Sequence, residues 1–324
     1  SRKFLKSLLN GSVWKGAGIF SSDVKRLGKP LALGIMGVSA SQINSALDAV
    51  FSRFADLEGP AFLWYAMRLQ QAPLALFGLA LSGALLPPLA RAIKNGDNER
   101  FMGFLDFAFR NCVGLMLPAT FGAFVLGASL VNIVYVRENF TDGTAYETLL
   151  CLWAYLPGLL PAALVVLLAS ASYAKGDYRN PTLASFLSVL VNLILNSIMV
   201  FYLGMGAVSV ALATSASAWV NFFVLSKTLL KGDLSFSQSQ KKTSLGNHFI
   251  RVGACTVCAS LFTGLFSFYY WNDHSLGMLL QNIPYSFPRE FIPQLMHFSS
   301  QSLCFLAVLW LSSRFLKVDV LKLH

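Results

Sequence analysis

Eight long apolar runs, separated by polar segments, dominate this chain of 324 residues. A membrane-spanning helix needs about 20 mostly apolar residues. Only 12% of the residues are charged, against about a quarter in soluble domains, so a soluble fold would lack polar cover for its surface. The sequence therefore predicts an all-α integral membrane protein with about eight transmembrane helices, near residues 30–54, 62–90, 102–126, 148–173, 182–203, 206–229, 248–270 and 296–316.

The polar segments alternate in charge along the chain. Basic residues are concentrated before the first run, after the second, fourth and sixth runs, and in the C-terminal tail, whereas the other segments have few or balance them with acidic residues. This alternation is what the positive-inside rule requires of a correct span count. Both termini are therefore predicted to be cytoplasmic. The net charge of +10 is attributed to topology, and nucleic-acid binding is not expected.

The segment 231–247, rich in Ser, Gln and Lys, is the clearest internal boundary. It divides the chain into a basic cytoplasmic segment at 1–29, a six-helix unit at 30–230, the cytoplasmic loop itself, and a terminal two-helix unit with a cytoplasmic tail at 248–324.

Polar residues recur along one face of the first run. Ser41, Ser45 and Asp48 follow a spacing of three and four residues, which places them on one side of a helix, and Asn44 lies beside them. Asp48 is about 9 Å from the outer end of its span at a rise of 1.5 Å per residue. Ionisable groups at membrane depth are costly and usually face a cavity or a partner.

Two other runs place oxygen-bearing side chains at a similar depth. Asn192 and Asn196 are four residues apart in the fifth run, and Thr214 stands one turn after Val210 in the sixth. One carboxylate and several neutral oxygens form the ligand set that a hard cation prefers. A sodium or proton site at these residues and Asp48 is one interpretation, and hydrogen bonding between packed helices is the other.

Arg68, in the second run, is the other unusual charge. It follows Trp64 and Tyr65, which are typical of a membrane interface, so its side chain can snorkel to the outer headgroups. Alternatively, it lines a cavity, where a guanidinium binds phosphate or diphosphate through two parallel hydrogen bonds. The local sequence leaves both interpretations open.

Four stretches together resemble the MurJ (MviN) lipid II flippase family of the MOP transporter superfamily. They are GVSASQINSALDAVFSRF (37–54), LWYAMRLQQAPLALFGLALSGALLPPLAR (63–91), YAKGDYRNPT (173–182) and GAVSVALATSASAWVN (206–221). The resemblance extends from about residue 28 to residue 231 and continues more weakly to the end.

The resemblance implies a protein of the bacterial cytoplasmic membrane with fourteen helices, arranged as two six-helix lobes and a terminal pair. This chain would provide the second lobe and the pair, and the first lobe would come from the same or another chain. The expected activity is the flipping of lipid II, a polyprenyl diphosphate-linked cell-wall precursor, by alternating access, without a cofactor. The terminal helices would border a groove for the polyprenyl tail.

The resemblance also assigns roles to particular residues. Arg68 matches the cavity arginine proposed to bind the diphosphate. Some members carry acidic residues where Met67 and Gln71 stand here, so this chain lacks those carboxylates. A sodium site described in part of the family matches Asp48, Asn192, Asn196, Val210 and Thr214, and sodium or proton coupling follows as an expectation. The candidates for lining the cavity are Ser41, Asn44, Ser45 and Gln71.

Three other functions remain open on the sequence. A drug or oligosaccharide-lipid exporter of the same superfamily would share the fold. A membrane enzyme acting on polyprenyl phosphates would need clustered carboxylates or a positioned base, and the predicted spans contain no such cluster. The chain is therefore expected to be a transporter and not an enzyme. A non-transporting scaffold of cell-wall synthesis is the third alternative, and it would tolerate the loss of Arg68.

Overall fold

The computed structural model describes residues 22–136, 140–231, 241–271 and 290–316. All regular structure within these ranges is helical. The helices are α1 (Ser22–Ala55), α2 (Gly59–Lys94), α3 (Asn98–Val125), α4 (Gly127–Tyr135), α5 (Asp142–Ala174), α6 (Arg179–Tyr202), α7 (Val208–Lys231), α8 (Lys241–Trp271) and α9 (Phe291–Phe315).

Seven of these helices are long and apolar enough to cross a membrane, namely α2, α3 and α5 to α9. They coincide with the last seven predicted spans, so the all-α membrane fold is confirmed. The first predicted span lies within α1, which has 34 residues but is not among the seven. Polar side chains such as Gln42, Asn44 and Asp48 make this helix less apolar than its neighbours.

The structure shifts two predicted boundaries. Helix α1 begins at Ser22, inside the basic segment predicted at 1–29, and residues 1–21 lie outside the described residues. Helix α8 begins at Lys241, inside the loop predicted at 231–247. In both cases a helix continues past its apolar run into a polar stretch, because the backbone hydrogen bonds of a helix do not require apolar side chains.

Helix α5 is the central element of the six-helix unit. It packs against α2, α3 and α7. In its most apolar stretch of 18 residues, 72% of the residues are buried, against 17–44% in the corresponding stretches of the other six spanning helices. Leu149, Leu152, Leu156 and Leu159 are fully buried at spacings of three and four residues. The other spanning helices keep large apolar side chains exposed, among them Leu76, Leu190 and Phe223.

Proline residues interrupt two helices inside the unit. In α5, Pro157 lies in a 3₁₀ turn at Leu156–Gly158, and in α2, Pro73 is followed by a π-helical segment at Leu74–Leu79. Proline lacks the N–H that would continue the helical ladder, and membrane proteins tolerate such breaks where neighbouring groups satisfy the backbone.

The terminal helices pack on the six-helix unit through α3 and α4. Helix α8 lies along α3, and α9 packs against α8 and α4. The contact includes a buried polar cluster, in which Ser129 Oγ of α4 donates to Gln301 Oε1 at 2.5 Å and Gln301 Nε2 donates to Ser267 Oγ of α8. His297, also buried, has Nδ1 3.3 Å from Ser129 Oγ. Polar side chains thus join the terminal pair to the unit.

The turn between α1 and α2 gives a sharp test of the packing. A Cβ atom at Gly59 would lie 2.3 Å from Ser52 O, whereas one at Gly83, on an open face of α2, meets nothing within 4 Å. We expect Gly59→Ala to lower the free energy of unfolding by about 1–3 kcal/mol, the usual cost of overpacking. Thermal unfolding of the purified protein in detergent measures this change. Gly83→Ala is the control, and an equal effect of the two substitutions would contradict the packing described.

Candidate functional site

The carboxylate of Asp48 lies at the centre of a polar cluster between α1, α6 and α7. Asp48 is only 3% exposed, and three side chains donate hydrogen bonds to its carboxylate. Asn196 Nδ2 donates to Oδ1 at 3.0 Å, and Asn44 Nδ2 and Thr214 Oγ1 donate to Oδ2 at 3.0 and 2.9 Å. Two of the donors come from other helices, so the carboxylate holds α6 and α7 to α1.

The donors are themselves linked by hydrogen bonds. Asn196 Nδ2 also lies 2.8 Å from Asn192 Oδ1, and Asn192 Nδ2 donates to Thr214 Oγ1 at 3.2 Å. Thr214 Oγ1 is 3.0 Å from the carbonyl oxygen of Val210. The hydroxyl has a single proton, so at any moment it donates either to Asp48 or to this carbonyl. The structure therefore brings together the five residues predicted as a cation site.

The cluster is short of positive charge. The ion pairs in the described part of the chain are Arg100–Asp97 and Arg110–Asp106, and neither includes Asp48. Two buried amide oxygens, Asn44 Oδ1 and Asn196 Oδ1, have no hydrogen-bond partner in the structure. Burying an ionised carboxylate without a counter-charge costs several kcal/mol, so the site favours a proton or a bound cation.

The available ligand atoms are all oxygens, which suits a hard cation. They comprise a carboxylate, amide oxygens, a hydroxyl and the backbone carbonyl of Val210, a set typical of alkali and alkaline-earth ions rather than of zinc or copper. Within the described residues there is no group of three His, Cys, Asp or Glu placed to hold a metal. The residues present thus fit sodium.

The four candidates for lining a cavity are placed differently. Asn44 is half-buried and bonded to Asp48, whereas Ser41, Ser45 and Gln71 are exposed. Ser45 Oγ donates to Ser41 O, 3.2 Å away within the same helix.

Arg68 is exposed on a face of α2 that no other described helix covers. Its guanidinium lies over the Trp64 ring, 5.0 Å from the centroid, and Trp64 is 50% exposed. On the opposite side, Phe62 and Leu63 are buried. A rise of 1.5 Å per residue puts the Cα atom of Arg68 about 13 Å from the start of α2, and the guanidinium reaches back over Trp64, one turn nearer that start.

Tyr155 also belongs to this region, and no pattern in the sequence indicates it. Its side chain is fully buried in α5, and its hydroxyl has no hydrogen-bond partner in the structure. Its backbone carbonyl accepts a hydrogen bond from Gln70 Nε2 at 3.0 Å. Only the three-dimensional packing reveals these contacts, since a tyrosine in an apolar run is ordinarily a core residue.

Comparison with known proteins gives a consistent family assignment. The family model described as Lipid II flippase MurJ matches residues 14–283. The chain belongs to the MurJ lipid II flippase family. A probable MurJ of Vibrio cholerae is 31% identical over 216 residues, which cover 67% of this chain and 40% of that protein. For a probable MurJ of Haemophilus influenzae the identity is 31% over 227 residues, covering 68% and 43%. The chain thus spans about two fifths of the length of these relatives.

Solved structures agree on the fold. A lipid II flippase MurJ in an inward closed conformation superposes with a TM-score of 0.64 at 22% identity, over 87% of this chain and 53% of that one. A MATE transporter in a bent conformation gives 0.55 at 16% identity, over 88% and 64%. MurJ and MATE proteins therefore share the helical arrangement described above.

Thr214 provides a test of the polar cluster. Thr214→Val keeps the shape of the side chain but removes its bond to Asp48 and the acceptor of Asn192. Because it leaves buried polar groups without partners, we expect a loss of about 1–3 kcal/mol in the free energy of unfolding, measured by thermal unfolding. Thr228→Val is the control, since Thr228 bonds only within α7, to Leu225 O at 2.9 Å. A Thr214→Val protein as stable as this control would contradict the cluster.

Proposed function

We propose that this chain forms the second lobe and the terminal helix pair of a transporter that flips lipid II across the bacterial cytoplasmic membrane. Membership of the MurJ family supports this function. The observation that carries it is the placement of Arg68, which projects from an uncovered face of a membrane-spanning helix. A permanent positive charge at this depth needs an anionic ligand or a partner, and a diphosphate is a ligand that a guanidinium can hold with two parallel hydrogen bonds.

The proposed transporter has two lobes. The first lobe, in the same or another chain, would cover the face of α2 that carries Arg68 and enclose a cavity between the lobes. The diphosphate and its saccharide-peptide headgroup would occupy this cavity while the polyprenyl tail stays in the lipid. Rocking of the lobes would then expose the headgroup to the outer side. In this topology both termini of the chain are cytoplasmic.

We further propose that a cation in the Asp48 cluster drives or regulates this movement. The ligand atoms come from α1, α6 and α7, so an ion bound there would change how these helices pack. Sodium is the first candidate, because the set consists of a carboxylate and neutral oxygens, and a proton on Asp48 is the alternative. No bond in the substrate is made or broken, so the function proposed is transport without an enzymatic step.

An exporter of drugs is the second candidate, favoured by the likeness to MATE structures. That likeness is one of fold at 16% identity, whereas relatives at 31% identity carry the name lipid II flippase. Arg68 is cationic, so it attracts an anionic headgroup and repels cationic compounds. A drug exporter would be better served by an uncharged cavity.

Arg68 is the residue on which the transport proposal can be tested. In the two-lobe transporter, meaning this chain with the lobe that completes it, we expect Arg68→Ala to abolish flipping and leave membrane insertion intact. Complementation of a flippase-depleted bacterium measures flipping, and membrane fractionation measures insertion. Arg68→Lys should restore little growth, because an ammonium group lacks the planar fork of a guanidinium.

The matched control for Arg68 lies on the same helix. Arg91 is exposed near the other end of α2, and Arg91→Ala should support growth. Normal growth of cells that depend on Arg68→Ala would count against a diphosphate site and favour a scaffold.

The Asp48 cluster gives an independent prediction about the ion. Sodium chloride should raise the midpoint of thermal unfolding relative to choline chloride of the same ionic strength, since a ligand at 100 times its Kd stabilises by about 2.7 kcal/mol. Asp48→Asn should remove this response because it removes the negative charge. Asp106→Asn is the control, as Asp106 pairs with Arg110 on α3 at 2.8 Å, away from the cluster. An unchanged sodium response in Asp48→Asn would eliminate the site.

A further inference from the structure

The break in α5 opens backbone carbonyl groups to side chains of neighbouring helices. At the 3₁₀ turn, the N–H of Leu159 donates to Leu156 O instead of Tyr155 O. Pro161, one turn after Pro157, has no N–H to donate to the carbonyl of Pro157. The regular ladder of α5 is therefore interrupted at membrane depth, where no water can compensate for missing hydrogen bonds.

Side chains of two neighbouring helices supply the compensating donors. From α7, Ser215 Oγ lies 2.6 Å from Ala154 O and 3.1 Å from Tyr155 O, and Trp219 Nε1 donates to Pro157 O at 3.0 Å. From α2, Gln70 Nε2 donates to Tyr155 O at 3.0 Å. The Ser215 hydroxyl has one proton and donates either to Ala154 O or to Tyr155 O. The carbonyl of Tyr155 is thus a point at which both α7 and α2 can bond to α5.

Two of these donors, Ser215 and Gln70, are close in sequence to residues of the proposed transport machinery. Ser215 directly follows Thr214, whose hydroxyl donates to Asp48. Gln70 is two residues after Arg68, which places it about 200° around the helix from it. The bond from Gln70 therefore fixes the rotation of α2 about its axis, and this rotation determines where the exposed guanidinium points.

The packing around the junction leaves little room for independent movement. A Cβ atom at Gly158 would lie 2.8 Å from the Cα atom of Ser215, so α5 and α7 are in direct backbone contact. Ser215 and Tyr155 are both buried. Packed interfaces of this kind change between discrete arrangements rather than deform continuously. A shift of α7 at Thr214 must therefore move the Tyr155 carbonyl and, with it, Gln70.

We propose that the carbonyl of Tyr155 couples the Asp48 cluster to Arg68, with Ser215 and Gln70 as the positioning residues that transmit the coupling. This inference rests on the proposed function, since it assumes a cation at Asp48 and an anionic lipid at Arg68. It adds the path between the two sites. When a cation enters the cluster and draws Thr214 toward it, α7 moves the broken segment of α5, and α2 rotates to re-aim the guanidinium.

Coupling between two binding sites is measured as the change in affinity at one site when the other is filled. The two-lobe transporter is reconstituted in phosphatidylcholine nanodiscs and titrated with undecaprenyl diphosphate, in saturating sodium chloride and in choline chloride. We expect sodium to change the Kd of the lipid by about 5- to 150-fold. Gln70→Leu should reduce this factor to below about 2-fold, while sodium affinity stays within about 3-fold of the parent protein.

Ser215→Ala should have the same effect, because it removes the donor on the α7 side. The matched control is Ser188→Ala, since buried Ser188 also donates to a carbonyl of α7, Ser217 O at 2.9 Å, but does not reach the junction. This control should keep the full sodium effect. If both Gln70→Leu and Ser215→Ala keep the full effect of sodium on the Kd of the lipid, the proposed path is overturned.

Two outcomes separate this inference from the proposed function. If the parent protein binds the lipid through Arg68 but its affinity does not respond to sodium, the coupling is overturned and the lipid site stands. If the parent protein binds neither sodium nor the lipid, the proposed function fails, and the inference fails with it.

Discussion

The architecture depends on one buried carboxylate that has no positive partner among the described residues. In water, Asp48 would be fully hydrated, but in the lobe it is only 3% exposed and is bonded to Asn44, Asn196 and Thr214. Three hydrogen bonds offset part of the desolvation cost and none of the net charge. Such a group is stabilised inside a membrane when it carries a proton or holds a cation, which is why a cation at Asp48 is proposed. Packing alone would be served as well by apolar residues.

The same requirement, that buried polar groups form hydrogen bonds, explains how the helices are held to one another. Polar side chains in membrane proteins form hydrogen bonds across helices because no water is present to replace them. Three such sets link the helices here. The Asp48 cluster connects α1, α6 and α7, the open carbonyl groups of α5 connect α7 and α2, and the cluster around Gln301 connects α4, α8 and α9. Movement of one helix would therefore disturb hydrogen bonds to specific neighbours, as the proposed alternating access requires.

Much of this arrangement could be predicted from the sequence, because bilayer thickness and hydrophobic runs define spans directly. The depths of Asp48, Asn196 and Thr214 could be compared by counting residues, and the structure places them in contact. The length of α1 could not be predicted from hydropathy, as the helix begins at Ser22, in the basic segment before the apolar run. The roles of Tyr155 and Gln70 could not be predicted either, since their bond depends on where a proline breaks α5 and on how α2 is rotated, and both are properties of the packed lobe.

Direct observation of an ion at the oxygens around Asp48 is the sharpest test of the proposed cation site. Crystals of the two-lobe transporter grown with thallium in place of sodium would give an anomalous signal at any bound ion. We expect a peak within bonding distance of Asp48, Asn196 and Thr214 that is lost in Asp48→Asn crystals. Ordered thallium elsewhere in the protein, with no peak at this cluster, would contradict it.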